Sequence, residues 1–264
     1  SYSKTGTYTL KLSVEDEDGL TYNKEFTISV GNPKEIVNST IKEYNEKIRN
    51  ITNQLSLVPS WVKPLIEKQI NLSTIEKELG DLEKKYQAAS SDDSYIEIMS
   101  ALQELKVPTS LKIIDEKMDF LPNPENINPS YLIEFTGEKI DAEELEKYKE
   151  SIASWVTENI NIEIESKTYV LYYKEVVPIA SVFILKIKPK KDFLKETYLV
   201  IDKNYDEIKF KENYKEKAVK DVTIITFSEL KQDEEKTIEF ALTEKIELTE
   251  LPVFISPAVS QLPS

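Results

Sequence analysis

Residues 6–30 read GTYTLKLSVEDEDGLTYNKEFTISV. Tyr8, Leu10, Leu12 and Val14 alternate with Thr7, Thr9, Lys11 and Ser13. A period of two is the signature of a strand with one buried face. Glu15 to Gly19 has turn chemistry, since Asp tolerates unusual backbone angles and Gly supplies a positive φ. Leu20, Tyr22, Phe26, Ile28 and Val30 form the return strand, with a phase irregularity expected near Asn23. The two runs together predict a β-hairpin. Asp16 and Asp18 alternate before a glycine as in part of a calcium loop. The other ligands and the closing Glu are missing, so a solvated turn is expected and no metal site.

The period changes after Gly31-Asn32-Pro33, where proline suits a first helical turn. Val37, Ile41, Tyr44, Ile48, Ile51 and Leu55 then recur at heptad spacing, and Leu72, Ile75, Leu79, Leu82, Tyr86 and Ala89 do the same. Pro59 and Pro64 bracket the loop between them. Two matched stripes across a short link predict an antiparallel, coiled-coil-like helical hairpin. A third helix is expected from Asp92 or Asp93 to about Lys106. Trp61 sits in the proline-bracketed loop, either capping the hairpin end or exposed as a partner contact.

The rest reads as β-rich. A short strand is expected near Tyr131–Thr136 and a helix over 141–158, where Asp141 and Glu144 have capping-box spacing. Strands are expected at about 161–166, 168–174, 181–188, 197–202, 207–211, 222–227, 237–242 and 246–255. Turn signals between them suit an antiparallel sandwich carrying one helix. The expected class is therefore modular α+β: a partial β-layer at 1–32, a helical hairpin or bundle at 33–118, and a β-rich domain at 119–264.

Composition limits the chemistry. The 264 residues carry a net charge of −14, with 31% charged and 40% hydrophobic residues. Arg49 is the only arginine, so phosphate-gripping forks are scarce and nucleic acid is not an expected partner. The absence of Cys removes disulfides and thiolate nucleophiles. The absence of His removes the commonest general base, so no Ser-His-Asp or Cys-His site can be built from this chain. The five glycines form no nucleotide-binding loop, and no cofactor is expected. The longest apolar run, Val176 to Leu185, is broken by Pro178 and too short to span a bilayer. Membrane association is expected only through an anchor outside the chain.

The pattern Gly6-x-Tyr8-x-Leu10-x-Leu12-x-Val14-x-Asp16-x-x-Gly19, followed by a strand over Lys24–Val30, resembles the closing half of a PKD domain, the Ig-like polycystic-kidney-disease repeat. The resemblance covers residues 6–30, and the family's upstream Trp-Asp-Phe-Gly-type segment is absent. It implies a chain that opens mid-domain, a hairpin that packs on the later β region, or strands supplied by another chain, the first being the expectation. It also implies an extracellular setting, since such modules are common as spacers and adhesion units in cell-surface proteins of archaea and bacteria.

Three N-x-[ST] sequons, at Asn38, Asn50 and Asn71, lie off the apolar stripes and mark candidate glycosylation sites. The function expected is that of a non-enzymatic cell-surface structural or adhesion protein, assembling with protein partners or with further copies of itself. Two alternatives stand beside it. One is a secreted carboxylate-based glycoside hydrolase or carbohydrate-binding protein, with clustered tyrosines such as Tyr169, Tyr172 and Tyr173 as sugar platforms. The other is an intracellular coiled-coil scaffold.

Overall fold

The computed structural model describes residues 6–15, 19, 21–139, 144–192, 194–214, 216–219, 221–232 and 234–262. It is a mixed α and β protein in which every sheet is antiparallel. Two compact units interleave along the chain. One takes the residues up to Asn53 together with Asn71–Thr109, and the other takes Gln54–Ile70 together with the residues from Ser110 onward.

In the first unit, β1 (Gly6–Glu15) and β2 (Thr21–Val30) pair in one unbroken register, from Gly6 opposite Val30 to Glu15 opposite Thr21. The irregularity expected near Asn23 is absent: Asn23 lies opposite Ser13, in phase with the polar row. The apparent break is Lys24, a charged residue in the apolar row opposite Leu12. Helix α1 (Pro33–Ser56) follows, with the Asn32 side chain accepting from the Lys34 N–H at 3.0 Å. Helix α2 (Lys63–Ile70) belongs to the second unit, while α3 (Leu72–Ala88) and α4 (Asp92–Glu104) return to the first. Ser91 caps α4 by accepting from the Ser94 N–H.

The apolar stripes of α1, α3 and α4 meet in one buried cluster. Val37, Ile41 and Ile48 join Ile75, Leu79 and Leu82 and then Tyr95, Ile98 and Leu102. The Tyr44 hydroxyl donates to the Leu102 carbonyl at 3.1 Å, fixing α1 against the end of α4. Helix α2 has no counterpart in the sequence reading, because eight residues do not complete a heptad series.

The second unit holds β3 (Ser110–Asp119), α5 (Ser130–Thr136), α6 (Leu145–Asn159), β4 (Ile160–Tyr172), β5 (Val176–Pro189) and β6 (Leu194–Ile201). After these come β7 (Lys209–Phe210), β8 (Glu216–Val219), β9 (Val222–Leu230), β10 (Lys236–Leu242) and β11 (Val253–Pro257). One sheet has the order β3-β4-β5-β10-β7 and the other β11-β6-β9-β8. Residues from both sheets and from α5 and α6 share one buried cluster, including Ile164, Phe183, Leu185, Phe240, Val200, Ile224, Phe254, Leu132 and Ile152.

Three expectations are corrected here. Tyr131–Thr136 is a helix, not a strand. Pro129 starts it in helical geometry, Asn128 accepts from the Ser130 N–H, and Gly137 ends it at φ +73°. Strand β3 falls in a segment read as helical. It is an edge strand, largely exposed, so its charged residues hide any alternation. The strands expected at 161–166 and 168–174 are one strand, β4, whose register on β5 shifts between Tyr169 and Val170. The start of the expected helix at 141 lies outside the described residues. Its Glu144 end carries no side-chain cap.

Thr197 on β6 is fully buried, and among the described residues its hydroxyl has no hydrogen-bond partner. It is paired with Phe227 and with Pro257, which has no N–H to offer. A buried unpaired hydroxyl carries a desolvation penalty. Thr197→Val is therefore expected to raise stability by about 1 kcal/mol in chemical denaturation.

Glu138 secures the C-terminal segment. Its carboxylate accepts from the Ser260 N–H at 3.0 Å and from the Thr136 hydroxyl at 3.0 Å. Burial pushes this carboxyl up, but hydrogen bonds from Ser260, Thr136 and Val259 outweigh burial and hold it below its ordinary value of 4.5. A depressed folded-state pKa adds stability above the unfolded value, lost as pH falls through the folded one. Glu138→Gln is expected to be less stable at pH 7 and to lose less stability between pH 5 and 3 than wild type, as read by melting temperature against pH.

Candidate functional site

The hairpin carries the clearest unsatisfied surface. On one face Leu10 (45% exposed), Leu12 (50%), Val14 (55%), Tyr22 (69%) and Phe26 (41%) all stand open. Leu10 faces Phe26 across the strands, and Val14 faces Tyr22. The only charged side chain in these rows, Lys24, lies with its ammonium 5.3 Å from the Phe26 ring centre. The other face is polar throughout its described side chains: Thr9 opposite Thr27, Ser13 opposite Asn23, and Lys11 bonded to Glu25 at 2.6 Å. Each strand of this sheet has one partner and one open edge among the described residues.

Physical chemistry makes that arrangement incomplete. A lone two-stranded hairpin is marginal in water, and an apolar face gains stability only when another layer covers it. Ten residue pairs at 3.4 Å give a face roughly 34 Å by 10 Å. Two such faces stacked together would bury only about 600–700 Å², below the ~1,200 Å² of stable specific interfaces. A covering layer that also pairs with an open strand edge gains the difference in backbone hydrogen bonds.

The three sequon asparagines have different surroundings. Asn38 is half-buried within α1 and lines a groove beside Lys84 and Gln87 of α3. Asn50 is exposed on α1, but its amide donates to the Thr109 carbonyl at 3.1 Å. Asn71 is exposed at the turn between α2 and α3, with left-handed backbone angles (φ 52°, ψ 41°). Trp61 is half-buried in the link between α1 and α2. Asp16 and Asp18 lie outside the described residues. Among the described residues no group of three or more carboxylates is placed to hold a metal ion.

Carboxylates do come together on the outer face of the larger sheet, where the sequence offered no means of choosing among 48 acidic residues. Glu163 and Glu165 alternate along β4. Lys186 bridges them at 2.9 and 2.6 Å, and Lys117 bonds Glu163 at 2.7 Å. The lysine hydrogen bonds hold both carboxyls below their ordinary value and raise both lysines. A cavity of about 500 Å³ adjoins them, lined by Phe120, Leu121, Ile162, Lys188 and Glu235 among others. Recognising this network needs the β4–β5 register, which places Glu163 opposite Lys186. Of the clustered tyrosines, Tyr169 is a buried core residue, and Tyr172 and Tyr173 are half-buried.

Comparison with family models, with curated proteins and with solved structures finds no match to this chain.

An open apolar face binds environment-sensitive dyes under native conditions. The native protein is expected to enhance anilinonaphthalene-sulfonate fluorescence. Leu12→Ser/Phe26→Ser is expected to reduce that signal severalfold without moving the melting transition of the second unit. An unchanged signal would place the dye-binding surface elsewhere.

Proposed function

We propose that this chain is a non-enzymatic extracellular or cell-surface protein that mediates protein–protein assembly, with the β1–β2 hairpin as its contact element. The observation that carries the reading is the hairpin's exposed apolar face, set against a polar face matched pair by pair. Its likeness to the closing half of a PKD domain supports the extracellular setting. In this reading residues 6–30 are two strands of an Ig-like layer whose covering strands come from elsewhere. The α1 and α3 stripes form an antiparallel helical hairpin that carries the contact element, and the two larger sheets form a sandwich.

The glycosidase alternative needs a carboxyl kept protonated as general acid. The carboxyls of Asp81, Glu138, Glu163, Glu165 and Glu234 are each held below their ordinary value by hydrogen bonds. The close pair, Glu163 and Glu165, is held ionised by two lysines. These observations favour the assembly reading over the hydrolase.

The test uses intact cells of the source organism, probed without permeabilisation by antibody to the second unit. Labelling of intact cells is expected, and labelling only after lysis would overturn the reading. A Leu12→Glu/Phe26→Glu variant is expected to fold but to leave the cell-envelope fraction. Retention equal to wild type would remove the hairpin from the interface.

A further inference from the structure

The three sequons are equivalent as sequence, but the fold separates them. N-glycosylation requires that one enzyme reach both the asparagine amide and the hydroxyl two residues on. In an α-helix, positions i and i+2 point to different sides and do not face each other. Asn38 with Thr40 and Asn50 with Thr52 both lie inside the 24-residue α1. Their neighbours Val37, Ile41, Ile48 and Ile51 are buried, so unwinding either site opens packed core. In the second of these sequons the side chains are also engaged: the Asn50 amide donates to the Thr109 carbonyl, and the Thr52 hydroxyl donates to the Ile48 carbonyl at 3.0 Å.

Asn71 differs in its backbone and in its place at a helix start, although Ile70 beside it and Ile75 four residues on are buried. Its left-handed backbone takes it off the helical spiral, and the rest of the sequon lies within the first turn of α3. First turns carry unpaired N–H groups and open at lower cost than helix interiors. Asn71 and Ser73 are both exposed. The Asn71 side-chain oxygen Oδ1 accepts from the Thr74 hydroxyl at 2.8 Å, and among the described residues no hydrogen bond engages Nδ2.

We infer that Asn71, with Ser73 as its hydroxyl partner, is the glycan acceptor of the folded chain. The donor class is a lipid-pyrophosphate-linked oligosaccharide. The Asn71 Nδ2 bonds to the anomeric carbon as the C–O bond to pyrophosphate breaks. The leaving pyrophosphate keeps the electron pair, and a base of the transferase takes one amide proton. The inference rests on the surface reading only for the donor's presence in the same compartment.

The experiment is therefore run with donor supplied. Folded chain is incubated with a purified single-subunit oligosaccharyltransferase and lipid-linked oligosaccharide, then digested with trypsin. Peptide 69–77 contains only this sequon. Its occupancy is expected to exceed that of the Asn38 and Asn50 peptides by ~10-fold or more, given the lower opening cost of a helix end. Synthetic peptides spanning each sequon are expected to be accepted alike, which assigns the selection to the fold. Asn71→Gln abolishes the modification, and Ser73→Ala does so with the Asn71 backbone residue unchanged. Comparable modification of Asn38 or Asn50 in the folded chain would overturn the inference. So would an unmodified Asn71 in the folded chain when its peptide is accepted. Neither result depends on where the native protein resides, which the intact-cell labelling reads separately.

Discussion

Strand β5 is buried on both faces over its middle, from Ile179 to Phe183, and that double burial organises the second unit. Its inner side chains Phe183, Leu185 and Ile187 enter the cluster shared by the two sheets, with the Phe183 ring 5.4 Å from that of Phe240 on β10. Its outer side chains Ala180 and Val182 are buried as well. Helix α2 lies against β5. Since β4 and β10 flank the strand and the inner cluster contains no α2 residue, that contact is on the outer face. Further along the same face the pattern becomes charged, and Lys186 enters the ion network with Glu163 and Glu165. One strand thus records where its sheet is covered and where it meets water. The network itself is solvent-screened and contributes register more than stability.

How much of this was legible from sequence follows from what each element buries. The helical character of α1 and α3 was legible because Ile41, Ile48, Ile75 and Leu79 recur at helical spacing and enter one buried cluster, whereas Ile51 and Leu55 of the same stripe are buried without belonging to it. The α5 segment misread because Tyr131, Ile133 and Phe135 alternate while all three are only half-buried, and seven residues are too few for the helical period to show. The fully buried residue there is Leu132, from the opposite phase. Strand β3 was invisible because an edge strand protected by Lys112, Asp115, Glu116 and Lys117 has no reason to alternate. The carboxylate–lysine network depends on cross-strand register, which no local pattern encodes. The sequons were visible as motifs, but their ranking required knowing that two lie inside a helix and one at a turn.

The hairpin is the place where local and global requirements part. Its cross-strand pairs, alternation and turn glycine are mutually consistent, as in a folded element with a definite register. Yet the apolar row that this register creates is open. Consistency of that kind is hard to maintain in a strand pair with no burial role, because nothing then distinguishes the two faces. The size of the face argues in the same direction. It is too small for a stable interface between hairpins alone and wide enough to form one end of a larger layer.

Charge gives that face a selective character. The chain carries a net −14, so two copies approaching at arbitrary surfaces repel each other. The hairpin strands are the exception: Lys11 and Lys24 balance Glu15 and Glu25. Acidic residues nearby are concentrated in the connecting segment at 16–18. A partner with an apolar face therefore meets no like-charge penalty along the strands, while contacts elsewhere on an acidic surface are disfavoured. Attraction limited to one small apolar patch whose single charge is the Lys24 ammonium, with repulsion around it, confines association to the hairpin without requiring a large interface.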